Sequence, residues 1–254
     1  MEALSIYAAG ENALTVCLGD TMDVAINDRV FRLFHYLQRH PNPFWKDVIP
    51  GYSTLTIVYD VGIIRKHHPE AFAWVRNEIE RALRECQESE ALPKRKLLIP
   101  VCYDPAFGFD LKSLAKTNKL SVDQIIELHT QQTYRVYMLG FLPGFAYMGS
   151  VNEKLAAPRL TTPRKQVPAG SVGIAGNQTG IYPLDSPGGW NIIGRTPLQL
   201  FNPEVCVHSN PGIVTGHGRK DAVLFQPGDE VKFYSISKQA FDVFDGRNFN
   251  PLSP

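Results

Sequence analysis

Gly140-Phe141-Leu142-Pro143-Gly144-Phe145-Ala146-Tyr147-Met148-Gly149, Val167-Pro168-Ala169-Gly170-Ser171-Val172-Gly173-Ile174-Ala175-Gly176 and Ser186-Pro187-Gly188-Gly189-Trp190 decide how this chain is read. The span 140–195 holds 10 of the 20 glycines and 6 of the 19 prolines in 56 positions. Glycine opens positive φ and close backbone approach, and proline fixes φ and removes a donor. Interleaved with Phe, Tyr, Trp, Ile and Val, these residues predict short strands joined by tight turns, the rim of a β-barrel or a ligand-binding surface.

The same texture continues outward. Thr133–Leu139 alternates as a strand, and from there to Ile236 short strands and Gly/Pro turns predominate with no long helix, which favours a closed barrel. Pro227-Gly228-Asp229 turns into a last strand, Glu230–Tyr234. Two short helices precede the barrel. Asp110 is the expected N-cap of the first, and Ser121 with Gln124 makes a capping box for the second.

Further upstream the grammar changes. Ser5–Ala8 and Ala13–Leu18 flank Gly10-Glu11-Asn12 as a hairpin, residues 23–39 carry a helical apolar stripe, and Thr54–Tyr59 is β-branched and aromatic. Residues 69–87 place Phe72, Val75, Ile79, Leu83 and Cys86 on one helical face, and Lys96–Val101 reads as another strand. The expected order is β-β-α-β-α-β, an α+β sandwich over residues 1–93. The polar stretch 88–95 is the expected boundary, with the barrel domain over 94–244 and a loose tail over 245–254.

Composition narrows the function classes. Hydrophobic residues at 44%, charged residues at 20% and a net charge of +1 describe an ordinary globular protein, with no electrostatic case for nucleic acid or membrane partners. No leader-like N-terminus and no apolar run of membrane-spanning length is found, so a cytoplasmic location is expected. The four cysteines are scattered without a CxxC pair, so neither a disulfide frame nor a zinc knuckle is expected. The seven histidines do not cluster in sequence, and no metal site is expected. No phosphate loop, dinucleotide fingerprint or nucleophile elbow occurs, so the chain is not expected to catalyse alone.

The candidate chemistry lies in the glycine-rich span. Arg159, Arg164 and Arg195 suit carboxylates or phosphates, and turn amides at Gly170, Gly173, Gly176, Gly188 and Gly189 are candidate anion nests. Together they describe a pocket for a small anionic metabolite; the alternative is barrel turns with solvated basic side chains. Tyr147 and Trp190 read as a stacking floor or as a lid on the core. Gln178 can read an amide or can serve a turn. His129 is a candidate proton-transfer group or a packed core histidine.

These motifs resemble a known family. The three stretches quoted above, with Ala157-Pro158-Arg159, Pro163-Arg164, Gln178-Thr179-Gly180, Tyr182-Pro183, Gly194-Arg195-Thr196-Pro197, Pro227-Gly228-Asp229, Glu127-Leu128-His129 and Ile49-Pro50-Gly51, are similar to the small subunit of bacterial 5-oxoprolinase, the KipI-like or allophanate hydrolase subunit 1 family. The resemblance implies an N-terminal α+β domain followed by a mainly-β cyclophilin-like barrel. It implies a homologous barrel subunit and a third subunit as partners, and ATP-dependent opening of 5-oxoproline to glutamate by the complex. On that reading Arg159, Arg164 and Arg195 bind anions, Gln178 and Tyr147 orient the ligand, and His129 moves a proton. Related proteins imply two other roles, a biotin-dependent carboxyltransferase subunit of the allophanate or urea type and an inhibitor of a sensor histidine kinase. Residues 204–226 look longer than the family pattern.

Overall fold

The computed structural model describes residues 4–86, 95–204 and 222–246. The expected hinge at 88–95 (Arg95 apart), residues 205–221 of the long 204–226 segment and most of the 245–254 tail lie outside the described residues. The described residues divide between two compact units, 4–86 in the first and 95–204 with 222–246 in the second.

The first unit runs β1 (Ser5–Ala8), β2 (Ala13–Cys17), α1 (Val24–Arg39), β3 (Trp45–Pro50), β4 (Thr54–Tyr59), α2 (Val61–Ile64) and α3 (Ala71–Glu85). Its strands form one antiparallel sheet in the order β1-β2-β4-β3. Alternation in β4 buries Leu55, Ile57 and Tyr59 in the core shared with Val30 and Phe31 of α1 and Val75 and Ile79 of α3. Asp23 caps α1 by accepting from the Ala25 and Ile26 amides at 2.7 and 3.1 Å. Three features depart from the expected β-β-α-β-α-β order, the first being the short helix α2. Trp45–Pro50 is a strand, with a register shift between Trp45 and Asp47. Lys96–Val101 is absent from this sheet.

Lys96–Val101 is instead β5 of the second unit. There it pairs in parallel with Glu230–Ser235, a partner 134 positions further along the chain. After β5 come α4 (Leu111–Asn118), α5 (Val122–Gln131), β6 (Thr133–Leu139), β7 (Ala146–Gly149), a 3₁₀ turn (Glu153–Leu155), β8 (Arg164–Val167), β9 (Ser171–Ala175), β10 (Gln178–Ile181), β11 (Ser186–Gly188), β12 (Asn191–Arg195), β13 (Glu230–Ser235) and α6 (Lys238–Asp242). Seven strands make one mixed sheet in the order β12-β9-β10-β7-β6-β13-β5, and β11 and β8 form a separate pair. The sheet curls until its ends meet. Cys102, just past β5, donates its N–H to the Arg195 carbonyl at 2.8 Å and accepts from the Arg195 N–H at 2.9 Å. The concave side encloses a core that includes Ile99, Val136, Met148, Ile174 and Phe233.

Two local devices pin this frame. The capping box at the start of α5 forms as expected, with the Gln124 amide donating to Ser121 Oγ at 3.1 Å and the Ser121 amide donating to Gln124 Oε1 at 2.8 Å. At the turn into β13, Arg95 grips the buried Asp229 with Nε–Oδ1 and Nη2–Oδ2 contacts of 2.8 and 2.5 Å. Burial raises the Asp229 pKa, against the pull of Arg95 and of the bond from the Gln226 amide. No helix among the described residues is long and apolar enough to cross a membrane.

Candidate functional site

Two glycines facing each other across the sheet create the site. Gly173 of β9 pairs with Gly180 of β10, which pairs in turn with Tyr147 of β7. A Cβ at Gly180 would lie 2.9 Å from the Ala146 carbonyl oxygen and 3.1 Å from ring atoms of both Phe145 and Trp190, and one at Gly173 would lie 3.0 Å from Trp190 Cβ and 3.2 Å from Ile192 Cδ1. The sheet surface is thus stripped there to admit rings. Phe145, Tyr182 and Trp190 fill the space with Val167, Ala175 and Ile192, and Leu142 and Tyr147 pack at the margin. Phe145 is the hub. It meets Tyr147 at 4.9 Å, Tyr182 at 5.3 Å and Trp190 at 5.4 Å between ring centroids, each edge-on.

Charge borders this aromatic floor. Burial raises the Tyr147 pKa, and the exposed Arg159 opposes it. Burial likewise raises Tyr182, opposed by a bond from the Trp190 amide and by the charges of Arg159 and Arg164. Tyr147 is half-buried with its hydroxyl protonated at neutral pH, within reach of the Arg159 charge. Gln178 begins β10 two residues before Gly180, on the same face of the strand. The structure therefore brings Tyr147, Gln178, Trp190, Gly173 and Gly188 to one face, and the charge of Arg159 is felt at Tyr147 and Tyr182.

The other expected site residues serve other ends. Arg164 already has an anion, Asp110, at 2.5 Å. Asp110 is buried and also accepts the Ile192 amide at 2.7 Å, so it ties β8 to β12 and makes no side-chain cap on α4. Arg195 donates from Nε to the Ala169 carbonyl at 2.8 Å and lies over the Phe107 ring at 5.9 Å. Two of the amides expected to form anion nests are spent within the fold. The Gly170 N–H donates to the Tyr182 carbonyl at 2.7 Å, and the Gly176 N–H donates to the Ala157 carbonyl at 2.6 Å. Gly173 and Gly188 lie in paired strands, and the Gly189 carbonyl accepts the Leu160 amide at 2.7 Å. Gly170, Gly173 and Gly188 leave little or no room for a Cβ, whereas one at Gly176 would meet nothing within 4 Å and one at Gly189 nothing closer than 3.7 Å. At Gly188 a Cβ would collide with the Tyr182 ring, 2.7 Å from Cε1, and at Gly170, with φ +82°, it would run into the Thr196 carbonyl.

His129 lies in the core on the opposite face of the sheet, fully buried. Thr179 Oγ1 donates to the Gly173 carbonyl at 3.1 Å, so His129 Nε2–H donates to Thr179 Oγ1 at 3.0 Å, and Nδ1 is left to accept the Tyr103 hydroxyl at 2.7 Å. Every polar atom of this chain of bonds is satisfied by a neutral imidazole, which also stacks on Phe233 at 4.5 Å. Burial lowers its pKa from 6.5 to about 3. In this setting His129 is packed in the core as a neutral imidazole.

Sequence reasoning missed Phe145, Tyr182 and Asp110. Gly180 lies against Phe145 and Gly188 against Tyr182, so the glycines of these motifs were the available signal for the two aromatics. A separate groove of about 220 Å³ on the first unit, lined by Tyr36, His40, Trp45, Glu78 and Arg81 among others, gathers none of the expected site residues. Among the described residues no three His, Cys, Asp or Glu side chains come together as metal ligands.

The family model described as carboxyltransferase domain, subdomain C and D, matches residues 4–209. The 5-oxoprolinase B subunit of Bacillus subtilis (strain 168) is 39% identical over 243 residues, 94% of this chain and 95% of that protein. Its namesake in Escherichia coli O157:H7 is 40% identical over 235 residues, 92% and 96% of the two chains. The crystal structure of TTHA0988 superposes with a TM-score of 0.73 at 34% identity; it matches 89% of this chain, which spans 40% of that one.

Proposed function

From the premise that the chain belongs to the carboxyltransferase domain, subdomain C and D, family, among its 5-oxoprolinase B subunits, we propose that it is the B subunit of an ATP-dependent 5-oxoprolinase. The complex opens 5-oxo-L-proline to L-glutamate, and this chain works in it with a homologous barrel subunit and a third subunit. The curled sheet is read as a cyclophilin-like barrel. The observation that carries the proposal is near end-to-end similarity to two 5-oxoprolinase B subunits, at 39% and 40% identity.

The chemistry makes specific demands. A lactam is a resonance-stabilised amide, and phosphorylation of its oxygen by ATP makes that carbon open to water. The site must then hold the substrate carboxylate and polarise the lactam oxygen. Arg159 suits the first task and the Tyr147 hydroxyl the second, both at the edge of the aromatic floor. Gln178 has an amide to pair with the lactam N–H or C=O. The phosphate groups find a poorer match here, because the Gly170 and Gly176 amides are spent on backbone carbonyls. We therefore assign the nucleotide to another subunit. Co-expression of this chain with the two partner subunits, followed by an assay of 5-oxoproline-dependent ATP hydrolysis, tests the reading. Activity that requires this chain supports it; a complex that forms and is equally active without this chain refutes it. A carboxyltransferase role rests on the family's name, and transfer of carboxylate from a carboxybiotin carrier in the same preparation would favour it instead.

A further inference from the structure

Two described residues other than glycine have positive φ. Lys119, at +55°, closes α4 in the left-handed conformation that commonly ends helices. Phe141, at +68°, has no helix to end. A Cβ-bearing residue is disfavoured there by its own carbonyl, and an aromatic gains nothing locally from it. The turn around Phe141 enforces the conformation. Gly140 N–H donates to the Phe145 carbonyl at 3.1 Å, Leu142 N–H to the Gly140 carbonyl at 2.8 Å, and Phe145 N–H to the Leu142 carbonyl at 3.0 Å. The result is a ring that is 61% exposed yet held in place. It stands edge-on against Phe145 at 5.6 Å and Tyr182 at 6.4 Å. Tyr182, which Phe141 meets edge-on, also feels the charges of Arg159 and Arg164.

5-Oxoproline has matching sides. Its carboxylate, N–H and C=O are polar, and its two ring methylenes are not. We propose that Phe141 is a specificity-determining residue whose ring forms the apolar wall of the substrate site and packs on those methylenes while Arg159 takes the carboxylate. Strained backbone persists where function needs a side chain at that spot. The inference rests on the 5-oxoprolinase reading above.

The test uses the reconstituted complex with Phe141→Asn, because asparagine accepts left-handed backbone, and with Phe141→Leu, which restores an apolar side chain. In Phe141→Asn, KM for 5-oxoproline is expected to rise about tenfold, the worth of two buried methylenes, with kcat within about threefold of wild type. Phe141→Leu recovers most of the loss, and both variants co-elute with the partner subunits and melt within a few degrees of the parent chain. An unchanged KM overturns the proposal. So does loss of co-elution, which makes Phe141 a docking contact, and so does a fall in melting temperature that accounts for the lost activity. A wild-type complex inert toward 5-oxoproline fails differently: it removes the parent reading, and this proposal with it.

Discussion

Replacing His129 with glutamine should abolish most of a pH dependence built into the second unit. The imidazole is wholly buried between Tyr103 and Thr179 and keeps a pKa of about 3 in the folded chain. In the unfolded chain it titrates at about 6.5. The unfolded state therefore takes up a proton that the folded state refuses, and the stability this group confers is present above pH 6.5 and lost as pH falls toward 3. At pH 5 the loss is RT ln(1 + 10^1.5), about 2 kcal/mol, and at pH 4 it approaches about 3 kcal/mol. The pH 5 figure depends little on the folded value, provided that value stays well below 5. Urea unfolding at pH 7.5 and pH 5.0, on parent and His129→Gln, isolates the effect. Glutamine cannot protonate, so the variant is less stable at pH 7.5 but escapes about 2 kcal/mol of the further loss, while carboxylate contributions cancel between the two proteins. Equal losses in both would mean that His129 is solvated or charged in the fold, and the neutral hydrogen-bond chain through Tyr103 and Thr179 would be wrong.

Two adjacent glycines should behave in opposite ways. Gly188→Ala drives a methyl group into the Tyr182 ring and is expected to cost about 1–3 kcal/mol, whereas Gly189→Ala, whose Cβ would rest 3.7 Å from Pro163, is expected to be near neutral. Thermal melts of the two variants check this, and equal melting temperatures would refute the steric account of the glycines. Arg95→Ala leaves Asp229 buried without its partner and is expected to cost about 2–3 kcal/mol, toward the low end for a buried pair because Arg95 is 34% exposed. In a double-mutant cycle, adding Asp229→Asn should recover part of that loss.

Local periodicity made much of the framework legible. The apolar stripe of α3, the alternation of β4 and the capping box at Ser121 are set by neighbours within a few residues, and each forms where the pattern puts it. Strand β3 was hidden because its Lys46, Asp47 and Pro50 read as loop chemistry, although an edge strand tolerates them. The placement of β5 could not be read locally, since its parallel partner β13 enters the chain only at Glu230. Asp110 was read as a cap, its commonest use before a helix, because nothing near it announces Arg164, 54 residues on. The glycines posed a deeper ambiguity. A glycine that presents its amide to an anion and one that makes room for a ring look the same in a sequence. Here Gly180 and Gly188 make room. That is why the aromatic floor, and not a nest of amides, forms the candidate site.

Substrate placement turns on Arg159 as the carboxylate partner beside that floor. Steady-state kinetics of the reconstituted complex with Arg159→Ala measure this directly, with 5-oxoproline varied at saturating ATP. The expected result is a KM for 5-oxoproline raised about tenfold to a hundredfold, as befits loss of a charge-assisted bond, with the complex intact. Parent-like KM and kcat in that variant would contradict the placement of the substrate on this face.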